Sequence, residues 1–268
     1  MEQKRRTRDE IKDKLKKAAI IVIPVAFALI ATVSVALLMG GLKKASEDGD
    51  QGAESYLESR DQVMAPVEDD EGDGYSRGLE YRSNSDGTAS VVGLGSCTDK
   101  TVRIPETTPD GERITDIGDR AFAGEKGIVE VKMPTGIVSI GKEAFKGSGI
   151  TAVTVPSSVI TIGDGAFARC TSLSAIKVDA ASPMFTASGG VLFDIEMETL
   201  ICYPSGKEDS TYVIPKTVTK ISSTAFSACN DLTKIRYSGT KKQWKNVYIC
   251  TGNDWLDVIT ITYAAEDK

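Results

Sequence analysis

Hydrophobic and polar positions along this chain follow a pattern that keeps returning. In Ile150-Thr151-Ala152-Val153-Thr154-Val155-Pro156, Val153 and Val155 alternate with polar neighbours, the period-2 signature of a short half-buried strand. Pro156 closes the strand, because proline cannot donate to a ladder and holds the preceding residue extended. Ile162-Gly163 then turns the chain, and the glycine is expected to supply a backbone angle that other residues resist. Ala166-Phe167 sends one small and one large side chain inward, and Leu173 leads into the next strand. Val131 to Ile150 and Val213 to Leu232 repeat this text closely, and a copy with a few extra residues after Pro105 starts at Val102. Phe122, Phe145 and Phe167 are 23 and 22 residues apart, and 59 residues then pass before Phe226. One strand and one Ala-Phe turn cannot bury an apolar side alone, so the units must stack into a solenoid. At about 4.8 Å per strand, roughly five or six coils predict a rod on the order of 25–30 Å long.

The order strand, Pro, Ile-Gly, Ala-Phe, Cys and Leu resembles the unit of the BspA-type leucine-rich repeat family. Three features outside the units resemble that family too. Leu79 to Val92 through Asn84-Ser85-Asp86-Gly87 looks like its opening hairpin. Val191 to Asp194 with Leu200 to Pro204 looks like a hairpin inserted near 180–210, which accounts for the long gap between phenylalanines. Tyr237-Ser238-Gly239-Thr240 followed by Trp244 looks like the C-terminal cap, here 237–268. Ser222 stands where the units have Gly, so that turn is expected to differ. The resemblance implies a β-rich leucine-rich-repeat solenoid over 75–236, with short parallel strands stacked through irregular or short helical turns. It further implies surface proteins that bind other molecules, with no catalytic residues to carry over.

Composition changes the picture only when taken by zone. Residues 1–17 hold eight Lys/Arg against four acids, and 18–42 carry no charge at all. That run of 25 residues would be about 37 Å long as a helix, where about 20 residues already span a bilayer core. A single transmembrane helix is therefore expected at 18–42, with 1–17 as a basic cytoplasmic tail and everything after it extracytoplasmic. Ser34-Val35-Ala36 also fits a signal-peptide cleavage site, although the apolar run is longer than such peptides use. Residues 43–74 hold eleven acids and three bases, a charge of −8, and read as a disordered acidic stalk. The remainder, 75–268, holds 21 basic and 23 acidic residues, so the net −6 of the chain reports the stalk and not the folded surface. Nothing past the tail is basic enough for nucleic acid.

The chain has no histidine, which removes the commonest general base and transition-metal ligand. Gly136 to Lys142 imitates a phosphate loop without its final Ser/Thr, and Ser139-Ile140-Gly141-Lys142 fits a Ser-x-x-Lys spacing. Both lie inside the repeat frame, where a solvated repeat position is the expected role. Asp69, Glu71 and Asp73 with Glu80 imitate a calcium loop without its flanking helices. No pattern calls for a metal or cofactor, and the carboxylates Asp194, Glu196 and Glu198 are the one set left for an enzyme reading. The five cysteines lack CxxC spacing, and Cys170 and Cys229, each three residues after a repeat phenylalanine, are expected to be core thiols. Trp244 and Trp255 are expected to pack in the C-terminal cap.

The outward position two residues before the closing proline gives the column Arg103, Lys132, Thr154 and Val213, extended by Lys177 and Arg236 in strands without the proline. Lys234 adds to it and Glu130 interrupts it. Arg103, Lys132, Thr154, Lys177, Lys234 and Arg236 are thus the candidate ligand-binding residues of the concave face. The expected role is non-catalytic binding of a protein or an anionic envelope or host-surface ligand by a single-pass cell-membrane protein. An envelope scaffold that recruits a membrane partner is the alternative. A solvated face of long charged side chains that discourages aggregation accounts for the same column without a ligand.

Overall fold

The computed structural model describes residues 74–264. The expected tail 1–17, the expected span 18–42, all of the stalk but Gly74, and Asp69 to Asp73 of the calcium-like loop lie outside them. Among the described residues no helix is long and apolar enough to cross a membrane.

Each coil of the chain contributes a long and a short strand to two separate ladders. An antiparallel hairpin opens the fold, β1 (Glu80–Ser83) against β2 (Thr88–Gly93), and β2 then pairs in parallel with the first short strand. The long strands β3 (Thr101–Arg103), β5 (Glu130–Lys132), β7 (Ala152–Val155) and β9 (Ala175–Val178) form one parallel sheet in that order. The short strands β4 (Arg113–Ile117), β6 (Ser139–Ile140) and β8 (Thr161–Ile162) continue the sheet begun by the hairpin. Valine and isoleucine fill these strands because branched side chains suit a half-buried pleat. Val102, Val131, Val153 and Ile176 point into the core, and their neighbours on either side point out.

The inserted segment interrupts both ladders at one place. It forms β10 (Phe185–Ser188), β11 (Val191–Asp194) and β12 (Thr199–Cys202), with β11 antiparallel to both neighbours. Beyond it the long strands resume as β13 (Thr211–Ile214), β15 (Lys234–Tyr237) and β17 (Thr260–Tyr263) in a sheet of their own. The short strands resume as β14 (Lys220–Ile221) and β16 (Tyr248–Ile249), parallel to β12. Among the described residues there are therefore seven long strands, more than the five or six coils expected from the sequence. The core divides at the same place. β11 sends Leu192 into the first buried cluster, and Val191 and Phe193, on either side of it, into the second. A helix α1 (Lys241–Trp244) follows β15, and its N-cap Thr240 and Gln243 form a reciprocal capping box. Trp244 and Trp255 both pack against the second cluster, as expected of the cap.

The repeated glycines do a different job from the one expected. Gly118, Gly141 and Gly163 are absent from the positive-φ residues. What they need is space: a Cβ on Gly141 would lie 2.6 Å from the Asp119 nitrogen, and one on Gly163 would lie 2.5 Å from the Lys142 nitrogen. Their own N–H groups donate to Ile117 and Ile140 of the preceding coil at 2.8 Å each, which fixes that approach. Ser222 occupies the position in a coil whose predecessor carries the insertion, and it keeps the turn. Ala225 N–H donates to Ser222 O at 3.2 Å, as Ala166 N–H does to Gly163 O. The positive φ values fall elsewhere, two residues before each phenylalanine (Arg120, Glu143, Gly165, Thr224) and two after it (Gly124, Gly147, Arg169, Ala228).

Candidate functional site

The exposed face of the long strands holds the residues expected to bind. Arg103 pairs with Lys132 and Thr154 with Lys177, and the register Val131 to Val153 sets Lys132 beside Thr154. All four are exposed, on consecutive strands, in a column about 14 Å long at the usual strand spacing. Glu130 sits one column over, between Thr101 and Ala152, and does not interrupt this one. The column does not run the length of the solenoid. Arg236 pairs with Val213 in the second sheet, and Lys234 lies in the adjacent column between Thr211 and Thr260. The insertion, which sequence alone located, ends the first sheet at β9 and so divides the expected stripe into a set of four positions and a separate pair, Lys234 and Arg236.

A second grouping comes from the Ala-Phe turns and was not visible in the strands. The turns stack through backbone bonds: Phe122 N–H donates to Ala144 O and Phe145 N–H to Ala166 O, each at 2.7 Å. Two residues past each phenylalanine, Gly124 N–H donates to Lys146 O and Gly147 N–H to Ala168 O, at 2.8 Å each. The coil with the insertion has Cys202-Tyr203 in place of Ala-Phe, with Tyr203 N–H donating to Ala225 O at 2.9 Å, and its turn is shorter. The turns before and after it therefore meet directly, with Arg169 N–H donating to Ser227 Oγ at 3.1 Å. Along these turns runs an open trough of about 700 Å³ lined by Arg120, Lys126, Lys146 and Arg169, with Glu143 and Ala228. Glu143 accepts from Arg120 Nε and Lys146 Nζ, each at 2.7 Å. The Lys146 ammonium and then the Arg120 guanidinium hold its carboxyl below the usual carboxylate range. Sequence reading passed over these cations because each belongs to a different repeat position. The signal was charge two before, one after, two after and four after a phenylalanine.

A smaller cavity of about 210 Å³ marks the junction of the two halves, lined by Asp164, Asp194, Lys220 and Ser222 among others. Asp194 Oδ1 already accepts from the Glu198 and Thr199 N–H groups at 2.8 and 3.0 Å, so it closes the β11–β12 turn. Glu196 and Glu198, its companions in the enzyme reading, are exposed.

The motifs that imitate known sites are absorbed by the fold. Ser139 donates its hydroxyl to Asp116 on the neighbouring short strand, and Lys142 N–H donates to Asp119 Oδ1 at 2.7 Å. Asp116 also accepts from Thr115 and Asn84, which ties the opening hairpin to the first coils. All five cysteines are free, and all but Cys250 are buried. Cys170 donates to Phe145 O at 2.9 Å. Burial pushes the Cys229 thiol up to about 12 and raises Cys170 and Cys202 as well, the reverse of what a nucleophilic thiolate needs. Among the described residues no group of three or more Cys, Asp or Glu could hold a metal ion.

Short parallel strands, one pair per coil, stacked around an internal aromatic column define a leucine-rich-repeat solenoid. The repeat of the BspA type leucine rich repeat region matches residues 97–190 and 205–251 in six copies, more than half of the chain. The chain belongs to that family. Among solved structures it is similar to a leucine rich cell surface protein from Faecalibacterium prausnitzii, at 18% identity over 73% of this chain and 74% of the other, with a TM-score of 0.42. It is similar to a leucine-rich repeat protein from Eubacterium ventriosum at 20% identity, over 71% of each chain, with a TM-score of 0.40. A leucine rich repeat protein from T. pallidum shows 19% identity over 69% of this chain and 83% of that one, with a TM-score of 0.42. No curated protein matches the chain.

Proposed function

We propose that this protein is a non-catalytic recognition module of the cell surface, binding an acidic protein or an anionic envelope or host ligand through the outer face of its first long-strand sheet. The observation that carries the reading is the in-register column Arg103, Lys132, Thr154 and Lys177, exposed on four consecutive strands with three cations among them. Like charges set side by side on neighbouring strands repel one another, so an acidic partner relieves a cost the free sheet carries. Electrostatics of this kind governs encounter and orientation more than final affinity. Residues 18–42 anchor the chain in the cell membrane, 1–17 stay in the cytoplasm, and 43–74 hold the solenoid away from the bilayer.

The test is capture by the purified full-length chain from envelope fractions and extracellular host proteins. A variant carrying Arg103→Glu, Lys132→Glu and Lys177→Glu, with an unchanged circular dichroism spectrum, is run beside it. Capture by the native chain alone is the expected result. Equal capture by both removes the column from the reading. Capture by neither removes the recognition role and leaves the envelope scaffold, for which co-purification of a membrane partner is the sign.

A further inference from the structure

One feature sets the trough on the Ala-Phe turns apart from an ordinary charged surface, and a second fixes the backbone that carries it. The first is uncompensated charge. Arg120, Lys126, Lys146 and Arg169 face one acid, Glu143, and Glu143 is spent on Arg120 and Lys146. Among the described residues Lys126 and Arg169 have no acidic partner within ion-pair distance, in a domain whose overall charge is −2. The second is backbone strain. Two residues after the phenylalanine, the first two coils use Gly124 and Gly147 at positive φ, while the third holds Arg169 there at φ 58°. Two residues before it, the third coil uses Gly165 at positive φ, while the first holds Arg120 at φ 59°. Side chains resist this conformation and glycine does not. Glu143, Thr224 and Ala228 take the same conformation at the corresponding places, so it belongs to the turn and fixes the backbone that carries Arg120 and Arg169.

The chemistry of the partner follows from what the trough lacks. The N–H groups of Gly124, Gly147 and Arg169 are all used between coils, at 2.8, 2.8 and 3.1 Å, so no free strand edge offers itself to a peptide backbone. Ala123, Gly124, Gly147 and Ala228 line it with little side-chain bulk and form no apolar pocket for a side chain to enter. Besides Glu143, already engaged by Arg120 and Lys146, the cationic side chains and the Thr171 hydroxyl remain to make contact. We propose that this trough binds a linear polyanion whose charge is carried by phosphate or sulfate groups. Its density of oxyanions meets the cations without any demand for backbone pairing. The guanidinium of Arg169 suits a bidentate grip on such a group, and the ammonium of Lys126 acts as a point charge. Glu143 limits the affinity by holding two of the four cations. The trough shares no residue with the long-strand column, so it is a second surface on the same solenoid.

Binding of the full-length chain to immobilised inorganic polyphosphate, a heparin-type sulfated glycan and poly-glutamate tests this, with retention measured against salt. The expected result is retention on polyphosphate, the sulfated glycan or both, which identifies the source, and at least about tenfold weaker binding to poly-glutamate. Lys126→Glu with Arg169→Glu weakens binding about tenfold or more, and Lys126→Gln with Arg169→Gln weakens it less, in the same direction. Glu143→Gln releases Arg120 and Lys146 and tightens binding about threefold, while Glu208→Gln, an equal change of net charge outside the trough, has no effect. Lys242→Glu, on the exposed helix of the C-terminal cap and outside both the trough and the strand column, leaves binding unchanged. Equal binding to poly-glutamate, no response to Lys126 and Arg169, or equal effects of Glu143→Gln and Glu208→Gln would each overturn the proposal.

Discussion

The halves of the solenoid on either side of the insertion solve one packing problem by different means. Before it, Phe122, Phe145 and Phe167 stack at 5.4 and 5.5 Å with rings inclined by only 12° and 6°. After it, the column is Tyr203, Phe226 and Trp255, at 5.5 and 6.1 Å and inclined by 24° and 26°, with Tyr212 tilted against Tyr203 at 4.9 Å. The backbone differs in parallel. In the first half Phe122 and Phe145 N–H donate to the Ala144 and Ala166 carbonyls of the next coil, and Tyr203 N–H still does so to Ala225 O at 2.9 Å. In the second, Phe226 N–H donates to the side chain of Asn253 at 3.1 Å, and Asn253 Nδ2 in turn donates to Ser222 O and Cys250 O at 2.9 Å each. Identical residues in successive coils produce identical contacts, and stacking then follows from the repeat itself. Where the repeat decays, particular side chains take over what the backbone did, and each becomes individually necessary.

The largest effect should come from removing a ring. Phe145→Ala empties the middle of the first column and is expected to cost about 3–5 kcal/mol, as is Phe226→Ala in the second. Both tryptophans, Trp244 and Trp255, lie in the second half. Phe145→Ala should therefore bring circular dichroism loss to lower denaturant than tryptophan fluorescence, whereas Phe226→Ala should bring the fluorescence change first. Coincident transitions in both variants would mean that the two cores unfold as one unit despite the break.

Asn253→Ala leaves the buried Phe226 N–H and the half-buried Cys250 O without this partner, while Ser222 O keeps Ala225 N–H, and is expected to cost about 1–3 kcal/mol, all of it in the fluorescence transition. The smallest contrast concerns the turn glycines. Gly141→Ala forces a Cβ against the backbone of the preceding coil and should cost about 1–3 kcal/mol. Ser222→Gly at the corresponding place should cost less than about 1 kcal/mol. Equal midpoint shifts for the two would refute the close-approach account of the repeated glycine.

Much of this was legible in the chain. Alternation at Val153 and Val155 and the phenylalanine spacing specified strands, stacking and the buried column, because these depend on periodicity alone. The hairpin, the insertion and the C-terminal cap announced themselves by turn residues and by resemblance, whereas the short helix Lys241–Trp244 inside that cap did not. The reason for Gly141 was not legible, since it depends on Asp119 of another coil, 22 residues earlier, and not on Gly141's own backbone. The division of the basic column depended on β9 and β13 failing to pair, a matter of where the insertion sits in space. The trough was invisible for a related reason. Its cations occupy different repeat positions on three consecutive coils, and the shortened turn at Tyr203 adds Ala228 from beyond the insertion.

The shared break in both ladders also bears on how such a chain can change over generations. A continuous ladder passes its twist and register from end to end, so a coil gained or lost rotates everything beyond it. Here β11 faces each core with its own residues, and neither sheet hands its register to the next. Whole coils can be duplicated or deleted on one side while the surface on the other keeps its orientation. The insertion makes length an independent variable for each half, and one can be lengthened without redesigning the other.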